Sequence, residues 1–424
     1  MNAFPNEQIV VVGLGYVGLP LAVALARSFP TIGLDIDTLR VEELKAGTDR
    51  TNEVERDVLQ ISPLVLTSDP AACAGAEVYI VTVPTPVDEA NQPDLRPVIG
   101  ATRSLAKLLD PAKKPIIVYE STVYPGVTDE ICGPLIEEVS GLKRGVDFFL
   151  GYSPERINPG DREHTVDRIV KVIAGENEEV TERLATIYGA VTSAGVFRAA
   201  SIRTAEAAKV IENAQRDINI AFMNEITQIF SKMDISIWDV LKAAGTKWNF
   251  LDFKPGLVGG HCIGVDPYYL SYRAQQLGLE PKVILAGRET NDGMGAWVAD
   301  SLHRRRGNPG TVLVLGLTFK ENVPDLRNSR VIDVIRRLEA LGHTVTINDP
   351  LADPAEARHE YGAELDADAL ERSYDLVVVA VPHDAYGLLD DSRIAGLVGQ
   401  GGLLADLKNL YARRTLSGIE RWSL

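Results

Sequence analysis

A Gly-x-Gly-x-x-Gly turn directly after a short apolar run constrains the fold of this chain more than any other feature. Ile9 to Val12 is a β-branched run, and Gly13, Gly15 and Gly18 then lead into the apolar segment GLPLAVALARS. A strand, a glycine turn and a helix in this order form the dinucleotide-binding fingerprint. Gly13 permits the tight turn, Gly15 lets a pyrophosphate approach the backbone, and Gly18 lets helix and strand pack closely. The sequence therefore predicts a βαβ unit with a phosphate site at the helix N-terminus.

The residue at the end of the next strand indicates which cofactor fits. The strand TIGLDID carries Asp35 at the spacing expected for a ribose-binding carboxylate. A carboxylate there accepts hydrogen bonds from the ribose hydroxyls and repels a 2′-phosphate, so NAD is favoured over NADP. Tyr16 and Val17, inside the turn, also belong to the predicted cofactor-binding set. The alternatives are FAD, which nothing else in the chain supports, and a βα turn that binds no ligand.

The pattern of apolar runs predicts the domain organisation. The runs AEVYIVTVPTP, KPIIVYESTV and VDFFLGYSPE are continuous rather than alternating, which is typical of parallel strands buried on both faces. A long segment without Pro or Gly, IRTAEAAKVIENAQRDINIAFMNEITQIFSKM, then indicates a helix that connects domains and is a candidate dimer core. A second α/β block opens near Gly310. We predict an α/β fold of two doubly wound Rossmann-like domains joined by a central helical domain with a long connecting helix, with domains at 1–200, 201–309 and 310–424.

Composition excludes several classes of protein. The net charge of −16 over 424 residues argues against a nucleic-acid binder. No apolar run reaches membrane-spanning length, and the N-terminus lacks a signal pattern. The three cysteines are widely spaced, which fits neither a disulfide framework nor a CxxC site, and the six histidines form no ligand pair. We expect a cytoplasmic protein with no metal site.

Candidate catalytic residues cluster in two helical stretches. Cys262 follows a Gly-Gly-His turn, with Asp266 four residues on, and a helix beginning after the glycines would put both on one face and lower the pKa of the thiol. Lys209 and Asn213 are also four residues apart, where they could hold an oxygen that gains or loses a proton. A buried inert cysteine and a solvated polar pair are the alternatives.

Further candidates lie at strand ends, where ligands of open α/β sheets bind. Thr85 and Thr122 could line the cofactor crevice, and Glu155 ends the strand VDFFLGYSPE. In the second α/β block the first turn carries Lys320 instead of glycines, so a nucleotide there would be held by Lys320 and Arg327. Ordinary solvated cations are the alternative for both.

With these motifs in order, the chain resembles the UDP-glucose/GDP-mannose dehydrogenase family over essentially its whole length. The motifs are GLGYVGLPLA, LDID, VPTP, STV, SPERINPG, K-x-x-x-N, GGHCIGVDP and FKENVPDLRNS. The versions GGHCIGVDP and SPERINPGD look most like the UDP-N-acetylhexosamine 6-dehydrogenases that make uronic acids for bacterial surface polysaccharides such as capsule. The resemblance implies a UDP-sugar substrate, two NAD per sugar, a homodimer or higher homo-oligomer, and no nucleic-acid or membrane partner.

The resemblance also implies a role for each candidate residue. Cys262 would attack the aldehyde to give a thiohemiacetal, which is oxidised to a thioester and hydrolysed. Lys209 and Asn213 would stabilise the developing oxyanion, and Asp266 and Thr122 would manage the water and its protons. Glu155, with Arg156 beside it, would act in thioester hydrolysis or position the sugar, and Arg40 would contact the NAD phosphates. Gly259 would let the sugar pass close to the backbone, and Lys320 and Arg327 would bind the UDP.

One position departs from the family pattern. UDP-glucose members carry a second glutamate four residues after the one that matches Glu155, and here that position is Pro159. Proline does no acid–base work, so the role of that second carboxylate is absent or has moved. We interpret the change as a mark of enzymes that act on N-acetylated sugars.

Three other functions compete with a four-electron dehydrogenase. A two-electron hydroxyacid dehydrogenase would need neither Cys262 nor a second nucleotide domain. A non-catalytic UDP-sugar-binding protein would not need Lys209, Asn213, Cys262 and Asp266 together. A nucleotide-sugar epimerase is disfavoured because no Y-x-x-x-K pair occurs. Within the family, UDP-glucose and UDP-N-acetylmannosamine stay open as substrates.

Overall fold

The computed structural model describes residues 7–88, 90–156, 167–260 and 263–424. The chain separates into two compact units, one of Met1–Glu212 with Tyr268–Leu279 and one of Asn213–Pro267 with Glu280–Leu424. The three domain ranges expected from the sequence stay a prediction. Each unit contains one β-sheet, and we describe each unit by itself.

The first unit contains a sheet of eight strands in the order β3-β2-β1-β4-β5-β6-β7-β8. All neighbouring pairs are parallel except β6 and β7. The order 3-2-1-4-5-6 is that of a doubly wound dinucleotide-binding sheet, which binds its ligand where the order reverses, between β1 and β4. The strands are β1 (Ile9–Val12), β2 (Thr31–Leu34), β3 (Val65–Thr67), β4 (Val78–Val81), β5 (Ile116–Tyr119), β6 (Phe149–Tyr152), β7 (Lys171–Gly175) and β8 (Val196–Arg198).

Helices cover this sheet because its strands are apolar on both faces. Every residue of β1, β2, β4 and β5 is buried, as expected for the continuous apolar runs. The helices are α1 (Gly18–Ala26), α2 (Thr38–Lys45), α3 (Arg56–Ile61), α4 (Arg96–Ala106), α5 (Gly133–Ser140) and α6 (Glu178–Gly189). A π-helical turn spans Val127–Cys132, and 3₁₀ turns span Pro70–Cys73 and Pro111–Lys113.

The predicted long helix is present and has 31 residues. Its length follows from the absence of Pro and Gly, which would break or weaken a helix interior. The helices of this part of the chain are α7 (Ile202–Lys232), α8 (Ile237–Ala244), α9 (Asp266–Gln276) and α10 (Lys282–Arg306). Two boundaries between the units fall within α7 and α9, and the third follows Leu279, between α9 and α10.

The second unit contains a parallel sheet of five strands in the order β10-β9-β11-β12-β13. One apolar cluster packs α10 and α11 against this sheet, and another fills its opposite face. Its strands are β9 (Thr311–Leu315), β10 (Thr344–Asn348), β11 (Tyr374–Val379), β12 (Val398–Asp406) and β13 (Glu420–Ser423). Its helices are α11 (Val331–Ala340), α12 (Pro354–Tyr361), α13 (Asp384–Gly387) and α14 (Asp391–Leu397), with a 3₁₀ turn at Ala369–Glu371. Two doubly wound sheets with long helices between them in sequence confirm the predicted fold class.

Candidate active site

The glycine turn after β1 has the geometry that its sequence predicts. Gly13 has a φ of +94°, which favours glycine. A Cβ on Gly18 would lie 1.8 Å from the carbonyl oxygen of Gly13, so helix and turn can pack this closely only with glycine. A Cβ on Gly15 would meet no atom within 4 Å, and this glycine is exposed. The turn thus leaves backbone that a ligand can approach just before α1 begins.

Asp35 and Arg40 hold this turn in place. The Asp35 carboxylate accepts hydrogen bonds from the backbone N–H groups of Leu14 (2.7 Å) and Asp37 (2.9 Å). Arg40 donates from Nε to the Leu14 carbonyl oxygen (3.0 Å) and pairs with Asp49 at 2.7 Å. Its Nη1 atom is buried and has no hydrogen-bond partner among the described residues.

The turn fits the pyrophosphate of NAD. No side chain caps α1 at Val17, and the first turn of this helix holds no acidic residue. The first N–H groups of the helix can therefore face an anion. Tyr16 and Val17 are half-buried in the turn. Gly15, the start of α1 and Asp35 would hold the cofactor, and a contact of Arg40 with its phosphates stays a prediction.

The other predicted residues of the first unit follow the carboxyl ends of β4, β5 and β6. Thr85 and Thr122 are half-buried, and Glu155 is 6% exposed. The Tyr269 hydroxyl donates to the Pro86 carbonyl oxygen at 3.1 Å, next to Thr85. Because parallel strands end at one edge of a sheet, these residues lie along the edge that carries the glycine turn.

Glu155 belongs to a buried charged cluster that local sequence patterns did not reveal. Its Oε2 atom lies 3.4 Å from the ammonium of Lys171, which also pairs with Glu120 at 2.9 Å. Lys171 is fully buried and Glu120 is 1% exposed. Arg156, next to Glu155, pairs with Glu212 at 2.9 Å and donates to the Val170 carbonyl oxygen.

The long helix carries two more predicted residues, and a third contacts one of them. Lys209 and Asn213 are four residues apart on α7 and are 7% and 8% exposed. The Asn213 amide donates from Nδ2 to Oδ2 of Asp266 at 2.5 Å, and Asp266 is 2% exposed. Within the described ranges, the Lys209 ammonium forms no ion pair with a carboxylate. The fold thus joins two predicted residues that are 53 positions apart in the sequence.

Helix α9 follows the segment that contains Cys262 and begins at the predicted residue Asp266. Residues 263–265 form a turn, and α9 begins at Asp266 itself. A shared face for Cys262 and Asp266 therefore stays a prediction. His261 and Cys262, like Pro159, lie outside the described residues.

The other two cysteines are structural. Cys73 and Cys132 are free thiols with no exposed surface. Burial raises the pKa of Cys73 to about 11 and that of Cys132 to about 12. Both are therefore protonated and unreactive at neutral pH.

In the second unit a cationic cavity lies beside the start of α11. Lys320, Arg330 and Lys408 contribute three positive charges and Glu321 one negative charge, and Ser329, Arg330 and Val331 form the beginning of the helix at its wall. Leu257, Gly259 and Phe319 supply apolar surface. Three cations and a helix N-terminus suit the diphosphate of a nucleotide.

This cavity includes one of the two predicted cations and two that sequence reasoning missed. Lys320 and Arg330 line it, and Arg330 also pairs with Asp292 at 2.5 Å and with Asp333 at 3.3 Å. Arg327 does not line it and is paired with Asp325 through two side-chain hydrogen bonds of 2.9 and 2.7 Å. Lys408 donates to the Pro255 carbonyl oxygen at 3.3 Å, and burial lowers its pKa. Arg330 directly precedes α11, and Lys408 lies two residues after the end of β12. These positions at the ends of elements were the sequence signal that could have identified the two cations.

Gly259 has a structural reason to be glycine that involves no ligand. A Cβ there would lie 2.5 Å from the carbonyl oxygen of Asn328. Gly260, with a φ of +81°, donates its N–H to the same carbonyl oxygen at 3.3 Å. The segment before Cys262 is therefore packed directly against the loop that leads into α11.

The second sheet repeats the first glycine turn more closely than its sequence indicates. Gly316 has a φ of +93°, and Asp349 accepts from the Leu317 N–H at 2.6 Å, as Asp35 does from Leu14. The next helix, however, begins only at Val331. The long loop between them replaces the glycine-rich phosphate cradle of the first unit with the cationic cavity.

The described ranges contain neither a cluster of metal-ligating side chains nor a membrane-spanning helix. Among those residues, no group of three or more His, Cys, Asp or Glu side chains is placed to hold a metal ion. None of the described helices has both the length and the apolar character required to cross a membrane.

Comparison with known proteins agrees with this geometry. The chain matches three domains of the UDP-glucose/GDP-mannose dehydrogenase family: the NAD binding domain at residues 7–192, the central domain at 203–293 and the UDP binding domain at 313–413. It is 50% identical to the protein named CapL of Staphylococcus aureus, over 99% of this chain and all of that protein. It is 48% identical to a UDP-N-acetyl-D-glucosamine 6-dehydrogenase of Pseudomonas aeruginosa, over 95% of this chain and 97% of the relative.

A solved structure agrees as well. The UDP-D-ManNAc dehydrogenase of Pyrococcus horikoshii superimposes with a TM-score of 0.87 at 26% identity, over 98% of both chains. The glycine turn with Asp35, the buried Asn213–Asp266 contact and the cationic cavity lie in regions that match the NAD binding, central and UDP binding domains, respectively. The chain belongs to the UDP-glucose/GDP-mannose dehydrogenase family and is an NAD-dependent nucleotide-sugar dehydrogenase with a UDP-sugar substrate.

Proposed function

We propose that this enzyme oxidises C6 of UDP-N-acetylglucosamine, or of its C4 epimer UDP-N-acetylgalactosamine, from the alcohol to the carboxylate. The observation that carries the proposal is the similarity at 48% identity, over nearly the full length of both chains, to a UDP-N-acetyl-D-glucosamine 6-dehydrogenase. Each turnover consumes the sugar, one water and two NAD⁺, and yields the uronate, two NADH and three protons. The product suits the synthesis of a capsule or another surface polysaccharide.

The residues of the chain divide the work as follows. NAD, when bound, supplies the hydride acceptor. The Cys262 sulfur bonds to the aldehyde carbon, so the half-oxidised sugar stays attached until it has become a thioester. Lys209 and Asn213 donate hydrogen bonds to the oxygen that becomes negative, and Asp266 fixes the Asn213 amide by accepting from it at 2.5 Å.

Hydrolysis of the thioester completes the reaction. The water oxygen bonds to the carbonyl carbon, Glu155 takes the proton of that water, and the carbon–sulfur bond breaks to leave a thiolate on Cys262. Thr122 lies at the same sheet edge as Glu155, where its hydroxyl would help to place the water. Lys320, Arg330 and Lys408 bind the diphosphate of the substrate through the cationic cavity.

The stoichiometry of the reaction tests the proposal. With UDP-N-acetylglucosamine as the limiting reactant and NAD in excess, we expect two NADH per sugar. One NADH per sugar would indicate a two-electron dehydrogenase, and none a UDP-sugar-binding protein. UDP-N-acetylgalactosamine, UDP-N-acetylmannosamine and UDP-glucose, supplied at matched concentrations, identify the preferred sugar.

A cysteine variant tests the covalent step. Cys262→Ser should stop before the free acid is formed, whereas the control Cys73→Ser, at a buried thiol, should retain uronate production. Alkylation of the wild-type enzyme at neutral pH spares the two protonated thiols, Cys73 and Cys132, and should block the enzyme at Cys262. Uronate formed at the normal rate by the alkylated enzyme would contradict the thioester scheme.

We also propose that the enzyme works as a homodimer in the cytoplasm. On α7, Phe222, Ile229 and Met233 next to its end are 55%, 45% and 58% exposed and recur at spacings of seven and four residues, so they share one face. An exposed apolar face of this kind suits pairing with a second copy. Phe222→Glu should halve the molar mass measured by light scattering, and an unchanged mass would exclude this face.

A further inference from the structure

A buried cluster of charges lies where β5 and β6 end and β7 begins, all within the first unit. The Lys171 ammonium is 2.9 Å from Oε2 of Glu120 and 3.4 Å from Oε2 of Glu155. The Tyr188 hydroxyl donates to the other oxygen of Glu120 at 2.5 Å, and Lys171 lies 5.2 Å from the centre of the Tyr188 ring. One ammonium is thus shared by two carboxylates.

Burial makes this arrangement costly and therefore informative. Lys171 and Tyr188 have no exposed surface, and Glu120 is 1% exposed. Removing charges from water costs several kcal/mol per ion unless their partners compensate. Burial opposes the charge on Lys171, but the two carboxylates outweigh burial and raise its pKa. Burial also raises the pKa of Glu120, against the opposing effect of Lys171.

The two carboxylates are not equivalent. Glu120 is enclosed between Lys171 and Tyr188, whereas the Glu155 side chain is 8% exposed at the sheet edge. Glu155 also accepts a 2.6 Å hydrogen bond from the Arg156 backbone N–H. The shared ammonium is closer to the interior acid, which leaves Glu155 as the carboxylate that can exchange a proton with a ligand.

We propose that Lys171 is a positioning residue for the Glu155 carboxylate and that Glu120 is the interior acid that competes with Glu155 for Lys171. This inference rests on the proposed role of Glu155 as the base in thioester hydrolysis. When Glu155 takes the proton of the attacking water, Lys171 remains neutralised by Glu120, so no unpaired charge is created in the interior.

Other titratable groups lie near Glu155. Glu53, from the segment that follows α2, is one of them, and its pKa is raised to about 7 by burial, then by Asp49 and Glu155. The Arg156 guanidinium is paired with Glu212. Within the part of the chain that the structure describes, the titratable and charged groups around Glu155 include Glu53, Glu120, Arg156, Lys171 and Tyr188.

Two substitutions should move the pH dependence in opposite directions. Glu120→Gln keeps the acceptor for Tyr188 but leaves Lys171 to Glu155 alone, so the acid limb of the kcat profile should shift down by about one pH unit. Lys171→Met removes the ammonium and leaves two neighbouring carboxylates, so the limb should shift up by about one unit or more. On the limb, one unit corresponds to about a ten-fold change in rate.

Controls separate positioning from general damage to the fold. Glu77→Gln breaks a 2.8 Å ion pair with Lys113 at the opposite end of the sheet and should leave the limb in place. Glu155→Gln identifies the limb that belongs to Glu155. Infrared titration of carboxylate bands, as the difference between wild type and Glu155→Gln, follows this group without turnover and should show the same two shifts in the Glu120→Gln and Lys171→Met backgrounds.

The outcomes distinguish this inference from the proposed function. If the wild type does not oxidise the sugar but the infrared band moves as expected, the function is wrong and the positioning by Lys171 stands. Because Glu120→Gln is isosteric, it keeps the test open if Lys171→Met does not fold. The proposal would be overturned if the infrared carboxylate band and the acid limb of the kcat profile do not shift in Glu120→Gln. It would also be overturned if they shift in the same direction in Glu120→Gln and Lys171→Met.

Discussion

The hydrogen bond between Asn213 and Asp266 gives the sharpest quantitative test of the site. Its Nδ2···Oδ2 distance is 2.5 Å, and the two residues are 8% and 2% exposed. A hydrogen bond to a charged group contributes about 1.5–3 kcal/mol, more when water is excluded. Since about 1.4 kcal/mol is ten-fold in rate, Asn213→Ala and Asp266→Ala should each lower kcat by at least about ten- to hundred-fold.

A double-mutant cycle measures whether the two residues act together. If Asp266 works by fixing the Asn213 amide, the double variant should lose little more activity than either single variant, with a coupling free energy of about 1.5–3 kcal/mol. The assay is the initial rate of NADH formation at saturating sugar and NAD. Melting temperatures of all variants show whether the fold is intact.

A matched control lies on the same helix. Thr227 is 2% exposed on α7, and its hydroxyl is bonded to the Met223 carbonyl oxygen of the helix itself. Thr227→Val should therefore change kcat less than three-fold, about 0.6 kcal/mol. Effects of Asn213→Ala and Asp266→Ala on kcat that add within about 0.3–0.5 kcal/mol would refute the reasoning, because the contact would then be incidental to the chemistry.

Three further predictions concern the glycine turn, the cationic cavity and acid stability. Gly18→Ala, whose Cβ would lie 1.8 Å from the Gly13 carbonyl oxygen, should lower both the melting temperature and the NAD affinity. Gly15→Ala, whose Cβ would meet no atom within 4 Å, should lower the NAD affinity alone. Calorimetry with NAD checks both variants, and equal losses of melting temperature would argue against the packing explanation. Lys408→Met should weaken UDP binding about ten- to hundred-fold in a titration with UDP while NAD affinity stays unchanged, and an equal loss for both would point to misfolding. Burial lowers the pKa of His343, which contacts His303 at 3.0 Å, so the folded state binds a proton less readily than the unfolded chain. The protein should therefore lose stability as the pH falls below the ordinary histidine range. His343→Gln should flatten this decline in melting temperature, and an unchanged decline would assign it to other groups.

Much of the fold was predictable because its signals are local. The apolar runs before Gly13, Thr85, Thr122 and Glu155 became β1, β4, β5 and β6, since continuous β-branched stretches bury both faces only inside a covered parallel sheet. The glycine turn and Asp35 were predictable for the same reason: the spacing of the residues determines which backbone a ligand can approach and at which position the carboxylate lies.

Pairs that are distant in sequence were not predictable. Glu120 was visible as the first residue of ESTV, but nothing near it indicated Lys171, 51 residues later. Lys171 opens a strand that runs antiparallel to β6, and this reversal brings its ammonium back to the sheet edge. The predicted contact of Arg327 with a nucleotide stays a prediction, because Arg327 is hydrogen-bonded to Asp325 and Arg330 is the arginine that lines the cavity.

Residue order and spacing alone were enough to predict the two nucleotide-binding folds, the long helix and a set of candidate reactive side chains, because helical and strand periodicity and glycine turns act over a few neighbouring positions. Folding in three dimensions decided which side chains come together: Asn213 contacts Asp266, Lys171 pairs with Glu155 and Glu120, and Lys320, Arg330 and Lys408 line one cavity. Such pairings depend on strand order and on where the chain reverses. Those properties arise from burying the whole apolar core at once, so no short segment of the chain carries them.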